Sequence, residues 1–316
     1  MSPLVTLTLN PAIDQTVVLD ALVPGTVHRA RAVRSHAGGK GVNVACCLAD
    51  WGLPVTATGI LGADNAAPFT ELLAEKGVAD RFLRVPGETR TNLKLLDRRT
   101  GDTTDINLPG LTVAADALGA ARAALLDHAA GDAWVVLAGS LPGALPVDTY
   151  AELAARLKAR GARVVLDASG PPLAAALAAG PDARPYAVKP NRHELEEWAG
   201  RALPTDAAVR AAAVQLRDLG IPVVVVSLGA EGALFLTVAG AVRARAPGID
   251  VASTVGAGDA LVAGLMAALA GGLDPDRTAR MAVAFAAGKL TQAGASLPPR
   301  ADVEALMRAV RTEPLG

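Results

Sequence analysis

The run Ser253-Thr254-Val255-Gly256-Ala257-Gly258-Asp259-Ala260 leads directly into an apolar stretch that ends near Leu273. Glycines at the start of a helix let backbone N–H groups close on an anion, and the helix dipole adds partial positive charge there. A carboxylate beside such a hole can take a proton from a hydroxyl while the hole steadies a transferring phosphoryl group. Asp259 is therefore the candidate base, and the backbone of Gly256, Ala257 and Gly258 the candidate anion hole. The plainer alternative is an acidic residue favoured in a first helical turn by the dipole alone. Leu261 stands where the third glycine of the dinucleotide fingerprint belongs, which weakens a nicotinamide-dependent oxidoreductase as the rival reading.

A second glycine turn, Gly38-Gly39-Lys40-Gly41-Val42-Asn43, opens a helical pattern that runs to about Trp51. Its glycines permit close backbone approach, Lys40 can meet a phosphate as a point charge, and Asn43 can bond sugar hydroxyls. A purely structural turn is the alternative, and no Walker A loop is present, because neither Ser nor Thr follows Lys40 at the required place. The chain has 24 Arg but only six Lys, and Lys40, Lys94 and Lys189 all fall in segments chosen on other grounds. Lys189-Pro190-Asn191-Arg192-His193-Glu194 follows a short strand and starts a helix. There Asn191 suits an N-cap and Glu194 the helix dipole. Ser227-Leu228-Gly229-Ala230-Glu231-Gly232 is either a nucleotide-covering turn or a plain hairpin loop.

These loops need a scaffold, and the sequence supplies a regular one. Val5–Leu9, Val55–Ile60, Trp134–Ala138, Val164–Asp167, Tyr186–Val188 and Val223–Ser227 read as strands alternating with longer Ala- and Leu-rich helices such as Ala115–Ala130. That alternation argues for βαβ crossovers and a mainly parallel sheet, whose ligands bind where strands end and helices begin. Gln15–Ser35 and Thr89–Leu108 are polar at alternate positions, which suits a small antiparallel lid with one exposed face. Hydrophobic residues make up 51% of the chain but aromatics only 3%, as expected of helices on a buried sheet.

The 30 basic residues nearly balance the 31 acidic ones, without long runs of one sign, so a phosphate-tracking nucleic-acid surface is not expected. Cys46 and Cys47 are adjacent and read as small core residues of a reducing compartment. His28, His36, His128 and His193 share no ligand-like spacing. The first residues make a poor secretory signal, and Ala260–Leu273 is about a third too short to span a bilayer. A cytoplasmic protein without membrane partners is the expectation.

Taken in order, the motifs resemble the ribokinase-like (PfkB-type) carbohydrate kinases, and within them the branch acting on phosphorylated ketohexoses. The resemblance covers Thr8–Asp14, Gly38–Asn43, Thr89–Lys94, Thr104–Asn107, Gly139–Pro142, Lys189–Glu194, Ser227–Gly232 and Ser253–Asp259. It implies a three-layer α/β/α sandwich over residues 1–316 as one kinase domain, with a mainly parallel sheet and a β-lid inserted from about 15–36 and 89–108. It further implies ATP and Mg²⁺, a phosphorylated ketohexose as substrate, and a homodimer through the lid. Carried over, Asp259 is the base, with Gly256, Ala257 and Gly258 as the hole. Asp14, Gly38, Gly39, Asn43 and Asn107 hold the sugar, while Lys40, Arg90, Lys94 and Ser140 meet its phosphate or neighbouring oxygens. Lys189, Asn191, Ser227, Gly229 and Gly232 belong to the nucleotide, together with Gly256 and Gly258, and Glu194 organises Mg²⁺ through water. The implied substrate is fructose 1-phosphate, phosphorylated at C6, with tagatose 6-phosphate and fructose 6-phosphate as alternatives. Some relatives carry a Lys-x-Arg pair in the first lid strand, where this chain has Val27-His28-Arg29, so only Arg29 carries over toward a neighbour's site. A non-catalytic sugar-phosphate sensor would lack the base or the hole, and the sequence has both.

Overall fold

A computed structural model describes residues 2–143, 145–252, 255–292 and 294–315. Strand β1 (Leu4–Thr8) is followed by β2 (Ala12–Leu19), β3 (Ala32–Gly38) and helix α1 (Lys40–Asp50). Next come β4 (Thr56–Gly62), α2 (Ala67–Glu75), β5 (Ala79–Val85), β6 (Thr91–Asp97) and β7 (Thr103–Asn107). Beyond α3 (Ala115–His128) the chain alternates through β8 (Trp134–Ala138), α4 (Thr149–Ala159), β9 (Arg163–Asp167) and α5 (Gly170–Ala178). The short β10 (Ala187–Val188), α6 (Arg192–Ala199), α7 (Asp206–Asp218) and β11 (Val223–Ser227) follow. An edge hairpin, β12 (Ala233–Thr237) and β13 (Gly240–Arg245), precedes α8 (Ala257–Ala270), α9 (Pro275–Leu290), α10 (Arg300–Ala309) and β14 (Arg311–Leu315).

Ten strands form one sheet in the order β14-β13-β12-β11-β10-β9-β8-β1-β4-β5. From β5 across to β11 the neighbours are parallel, and β12, β13 and β14 add an antiparallel edge. Successive strand residues point to opposite faces. Val5, Leu7, Val135, Leu137, Val224 and Val226 thus meet α3 to α7, while Leu4, Val136, Val223 and Val225 meet α1, α2 and α8 to α10. The three layers expected from the sequence are present, and the boundaries of β8 and β11 coincide with the expected runs. The others shift by one or two residues at one or both ends.

Helix α8 is apolar almost all round because it lies inside the molecule between α1 and α9. Its Gly264 faces α9 so closely that a Cβ would stand 2.7 Å from Ala282 Cα. A methyl there would overpack the crossing at a cost of about 1–3 kcal/mol. No described helix is long and apolar enough to cross a membrane. Cys46 and Cys47 are free and buried.

The lid is a second, four-stranded sheet in the order β3-β2-β6-β7. Its strands lie at 12–19, 32–38, 91–97 and 103–107, so it reaches beyond the expected 15–36. The antiparallel expectation needs correction, because the central pair β2 and β6 is parallel, with Asp14 opposite Asn92 and Thr16 opposite Lys94. The cause lies in the core: β2 follows β1 and β6 follows β5. Both core strands belong to the parallel part of the sheet, so the chain enters the lid twice from the carboxyl ends of strands that run the same way. Alternation then divides the lid. Asp14, Thr16, Arg34, His36, Lys94 and Asp105 share one face, and Val17, Val33, Leu93, Leu95 and Ile106 the other.

Candidate active site

Asp167 closes β9, Lys189 follows β10, and the Gly38–Gly41 turn lies over the end of β1, so the site is built where parallel strands end. Local packing alone accounts for that turn. A Cβ on Gly41 would stand 2.8 Å from the Leu7 carbonyl, one on Gly38 would stand 2.8 Å from Asp14 Oδ2, and Gly39 holds φ at 119°. Bare backbone is what lets α1 start against β1, and it sets Lys40 at the helix N-terminus.

Lys40 and Lys189 converge on one carboxylate. Each Nζ lies 3.2 Å from Asp167 Oδ1, and Asp167 is only 1% exposed. Burial would raise the Asp167 carboxyl, but the two ammonium groups overcome it and hold the group below its ordinary range. Burial likewise works against the Lys40 ammonium, and the charges of Asp167, Asp259 and Glu194 outweigh it, so its affinity for the proton rises. The other Asp167 oxygen, Oδ2, is buried without a hydrogen-bond partner among the described residues.

Asp259 is the third residue of α8, behind Gly256 as N-cap in the left-handed region at φ 81°. Its Oδ2 accepts a 2.7 Å hydrogen bond from Asn43 Nδ2. Burial, and then the negative charge of Asp167, push its carboxyl up to about 6, against Asn43, Lys40 and Lys189. A carboxylate with that affinity is matched to accepting a proton near neutral pH. A Cβ on Gly258 would lie 3.8 Å from Lys189 Nζ, so the glycine turn faces Lys189. Ser253 and Thr254, the first two residues of the motif, lie outside the described residues.

A cleft of about 670 Å³ separates this turn from the lid. Asp14, Asn43, Lys94 and Gly256 line it, joined by Thr16, Arg34, His36 and Lys289, which the sequence reading missed. Asn92 donates to Asp14 Oδ1 at 3.2 Å, and Lys94 pairs with Asp105 at 3.1 Å. Arg90, Asn107 and Ser140 do not line the cleft. Arg90 reaches the carbonyls of Asn10, Pro11 and Leu108, each at 3.4 Å, and Ser140 accepts from Asn10 Nδ2 at 3.0 Å.

On the opposite side, Asn191 and Ser227 form a parallel bridge between the starts of α6 and the β11–β12 turn. Gly229–Glu231 is a single 3₁₀ turn between antiparallel strands, so the plain hairpin reading of Ser227–Gly232 is satisfied without a ligand. Asn191 caps α6 in a reciprocal box: its side chain accepts from Glu194 N, and Glu194 Oε2 accepts from Asn191 N, each at 2.8 Å. Glu194 is buried, and its second oxygen has no hydrogen bond among the described residues. No cluster of three or more His, Cys, Asp or Glu side chains that could hold a metal occurs among the described residues. Mg²⁺ needs fewer, since it is commonly held by one or two carboxylates plus phosphate oxygens. Asp167 Oδ2, without a hydrogen bond among the described residues, and the Glu194 carboxylate are donors of that kind. Asp167 could have been noticed as the acidic end of a core strand, whereas Lys289 carried no signal within an Ala-rich helix.

The sequence profile of the pfkB family carbohydrate kinases matches residues 7–302. The 1-phosphofructokinase of Xanthomonas campestris pv. campestris is 55% identical over 257 residues, covering 81% of this chain and 81% of that protein. The 1-phosphofructokinase of Rhodobacter capsulatus is 47% identical over 311 residues, covering 98% and 97%. Among solved structures, phosphofructokinase-2 from Escherichia coli in complex with fructose-6-phosphate superposes with a TM-score of 0.89 at 28% identity, covering 98% and 99%.

Proposed function

Because this chain belongs to the pfkB family of carbohydrate kinases, we propose that it transfers the γ-phosphate of ATP to the C6 hydroxyl of fructose 1-phosphate, giving fructose 1,6-bisphosphate and ADP. The observation that carries the chemistry is Asp259, a buried carboxyl pushed up to about 6 in the first turn of α8. It accepts the hydroxyl proton as the oxygen attacks, while the N–H groups of Gly256, Ala257 and Gly258 face the phosphoryl oxygens. Asp14, Gly38, Gly39 and Asn43 hold the sugar. Lys94, supported by Asp105, meets the phosphate already on it, and Arg90, Asn107 and Ser140, which do not line the cleft, are assigned to the sugar and its phosphate by resemblance alone.

Lys189, kept beside Lys40 by Asp167, neutralises charge on the ATP phosphates, while Lys40 meets the sugar's phosphate or neighbouring oxygens. Asn191 and the Ser227, Gly229 and Gly232 turn border the nucleotide. Mg²⁺ bound with ATP would neutralise phosphate charge, and Asp167 Oδ2 and the Glu194 carboxylate fit it as hard donors, directly or through water. The choice of fructose 1-phosphate is supported by the names of the two relatives above. Coupled ADP-release rates at equal, subsaturating fructose 1-phosphate, fructose 6-phosphate and tagatose 6-phosphate test it. Fructose 1-phosphate should be fastest, and a faster rate with either other sugar sinks the substrate while sparing the kinase.

Assembly follows from the lid. Its outer face carries Val17, Val33, Leu93, Leu95 and Ile106, with Val33 53% and Ile106 43% exposed. An apolar sheet face of that kind is covered most simply by a second copy of itself. Light scattering should give a dimer, and Val33→Asp with Leu95→Asp should return it to monomer.

A further inference from the structure

Lys289 is a buried ammonium to which the site as built so far gives no role. It lies in the last turn of α9, 2% exposed, and its one hydrogen bond among the described residues is to the Gln292 carbonyl at 3.3 Å. A lysine that merely closes a helix can leave its ammonium in water, where the dipole favours it without desolvation. Here the side chain is almost wholly buried, and among the described residues it makes a single long hydrogen bond. Burial drives the amine below the ordinary lysine range, opposed by Cys47 and Asp259. Burial also drives the Cys47 thiol well above its ordinary value, so it stays neutral at physiological pH. Asp259 is the counter-charge that remains.

The geometry puts this cation at the glycine turn. The point where a Cβ on Gly256 would stand lies 3.2 Å from Lys289 Cε, 3.9 Å from Asn43 Nδ2 and 3.9 Å from Asp259 Oδ2. Three side chains thus close on the bare face of one glycine, and Lys289, Asn43 and Gly256 line the same cleft. We infer that Lys289 is a positioning residue, a built-in monovalent cation set beside the first turn of α8 that charges the anion hole during phosphoryl transfer. The inference rests on the reading of Asp259 and the glycine turn as the transfer site. A helix N-terminus supplies roughly half an elementary charge. An ammonium fixed beside it, out of water, adds a whole one, and it acts most strongly when charge spreads over the phosphoryl oxygens in the transition state. Such a charge acts on turnover more than on binding.

The test is Lys289→Gln, which keeps a donor for the Gln292 carbonyl and removes the charge. We expect kcat to fall about ten- to a hundredfold, short of what a donor touching the oxyanion supplies. KM for ATP and for fructose 1-phosphate should each stay within about threefold. A second variant, Lys289→Ala, leaves room for ethylammonium, which at constant ionic strength should restore kcat at least about fivefold over choline if charge is what was lost. Folded Lys289→Gln with kcat within about twofold of the parent overturns the inference. So does a loss that follows the folded fraction, measured by circular dichroism, with no rescue of Lys289→Ala by ethylammonium. The underlying site reading fails separately, through normal turnover in Asp259→Asn.

Discussion

Asp259→Asn should give a protein that is nearly inactive yet more stable, and the gain can be worked from the site. Burial and the neighbouring Asp167 charge raise the Asp259 carboxyl from 3.8 to about 6. The folded chain therefore binds this proton more tightly than the unfolded chain. Below pH 3.8 both states hold the proton and nothing is lost. As pH rises through about 6, the folded state must carry the charge in its interior, and stability falls. At about 1.4 kcal/mol per tenfold difference in proton affinity, the loss above pH 7 is about 3 kcal/mol, and about half that at pH 5. Asparagine is neutral throughout and can still accept from Asn43, so it escapes this cost. Urea unfolding of both proteins at pH 5 and pH 8 measures the effect as a difference in which other titrations cancel. The variant should be ahead by about 3 kcal/mol at pH 8 and by about half as much at pH 5, with turnover reduced at least about a hundredfold. Equal stabilities at pH 8, or an advantage that does not change with pH, would refute the reasoning.

Asn43→Ala removes the hydrogen bond that favours ionised Asp259, so the acidic limb of kcat at saturation should move up by about half to one pH unit. An unmoved limb would separate Asn43 from the base. Asp167→Asn should act with the opposite sign, since a negative charge beside Asp259 is lost and the limb moves down. It also strands Lys40 and Lys189, and urea unfolding at pH 7 should show a loss of about 3 kcal/mol or more. An upward shift, or undiminished stability, would count against the shared ion pair. Glu194→Gln keeps a residue suited to the capping box, so stability should change by less than about 1 kcal/mol. The Mg²⁺ concentration for half-maximal rate should nevertheless rise, and an unchanged titration would leave Glu194 a cap and nothing more.

What the sequence disclosed was local. Trp134–Ala138 and Val223–Ser227 are β-branched or apolar runs bounded by turn residues, and they fold with the boundaries they announce. Asn191 and Asp259 stand at helix starts, where capping and glycine chemistry are written into adjacent residues. Asp167 was harder to see because its meaning comes from Lys40, 127 positions away, and from a neighbouring strand. The parallel seam of the lid follows from β1 and β5 running the same way in the core sheet, a property of assembled strands. Lys289 was silent for a similar reason: α9 buries it through its crossing with α8, and the surrounding alanines give no sign of which face is inward.

The lid is also the part of the molecule with least to lose by opening. Five of the seven residues of β3 and all five of β7 are exposed, whereas every residue of β1 and β8 is buried. Elements with so little burial open in local excursions far below the cost of global unfolding. Amide protons of β3 and β7 should therefore exchange with solvent long before those of β1 and β8. On the proposed function, a sugar phosphate bridging Lys94 and the glycine turns should slow that exchange, because a ligand that binds the folded lid stabilises it against local opening. Sparse burial in the lid thus separates the freedom needed to admit substrate and release product from the rigidity of the sheet that holds Asp167 and Lys189 in place.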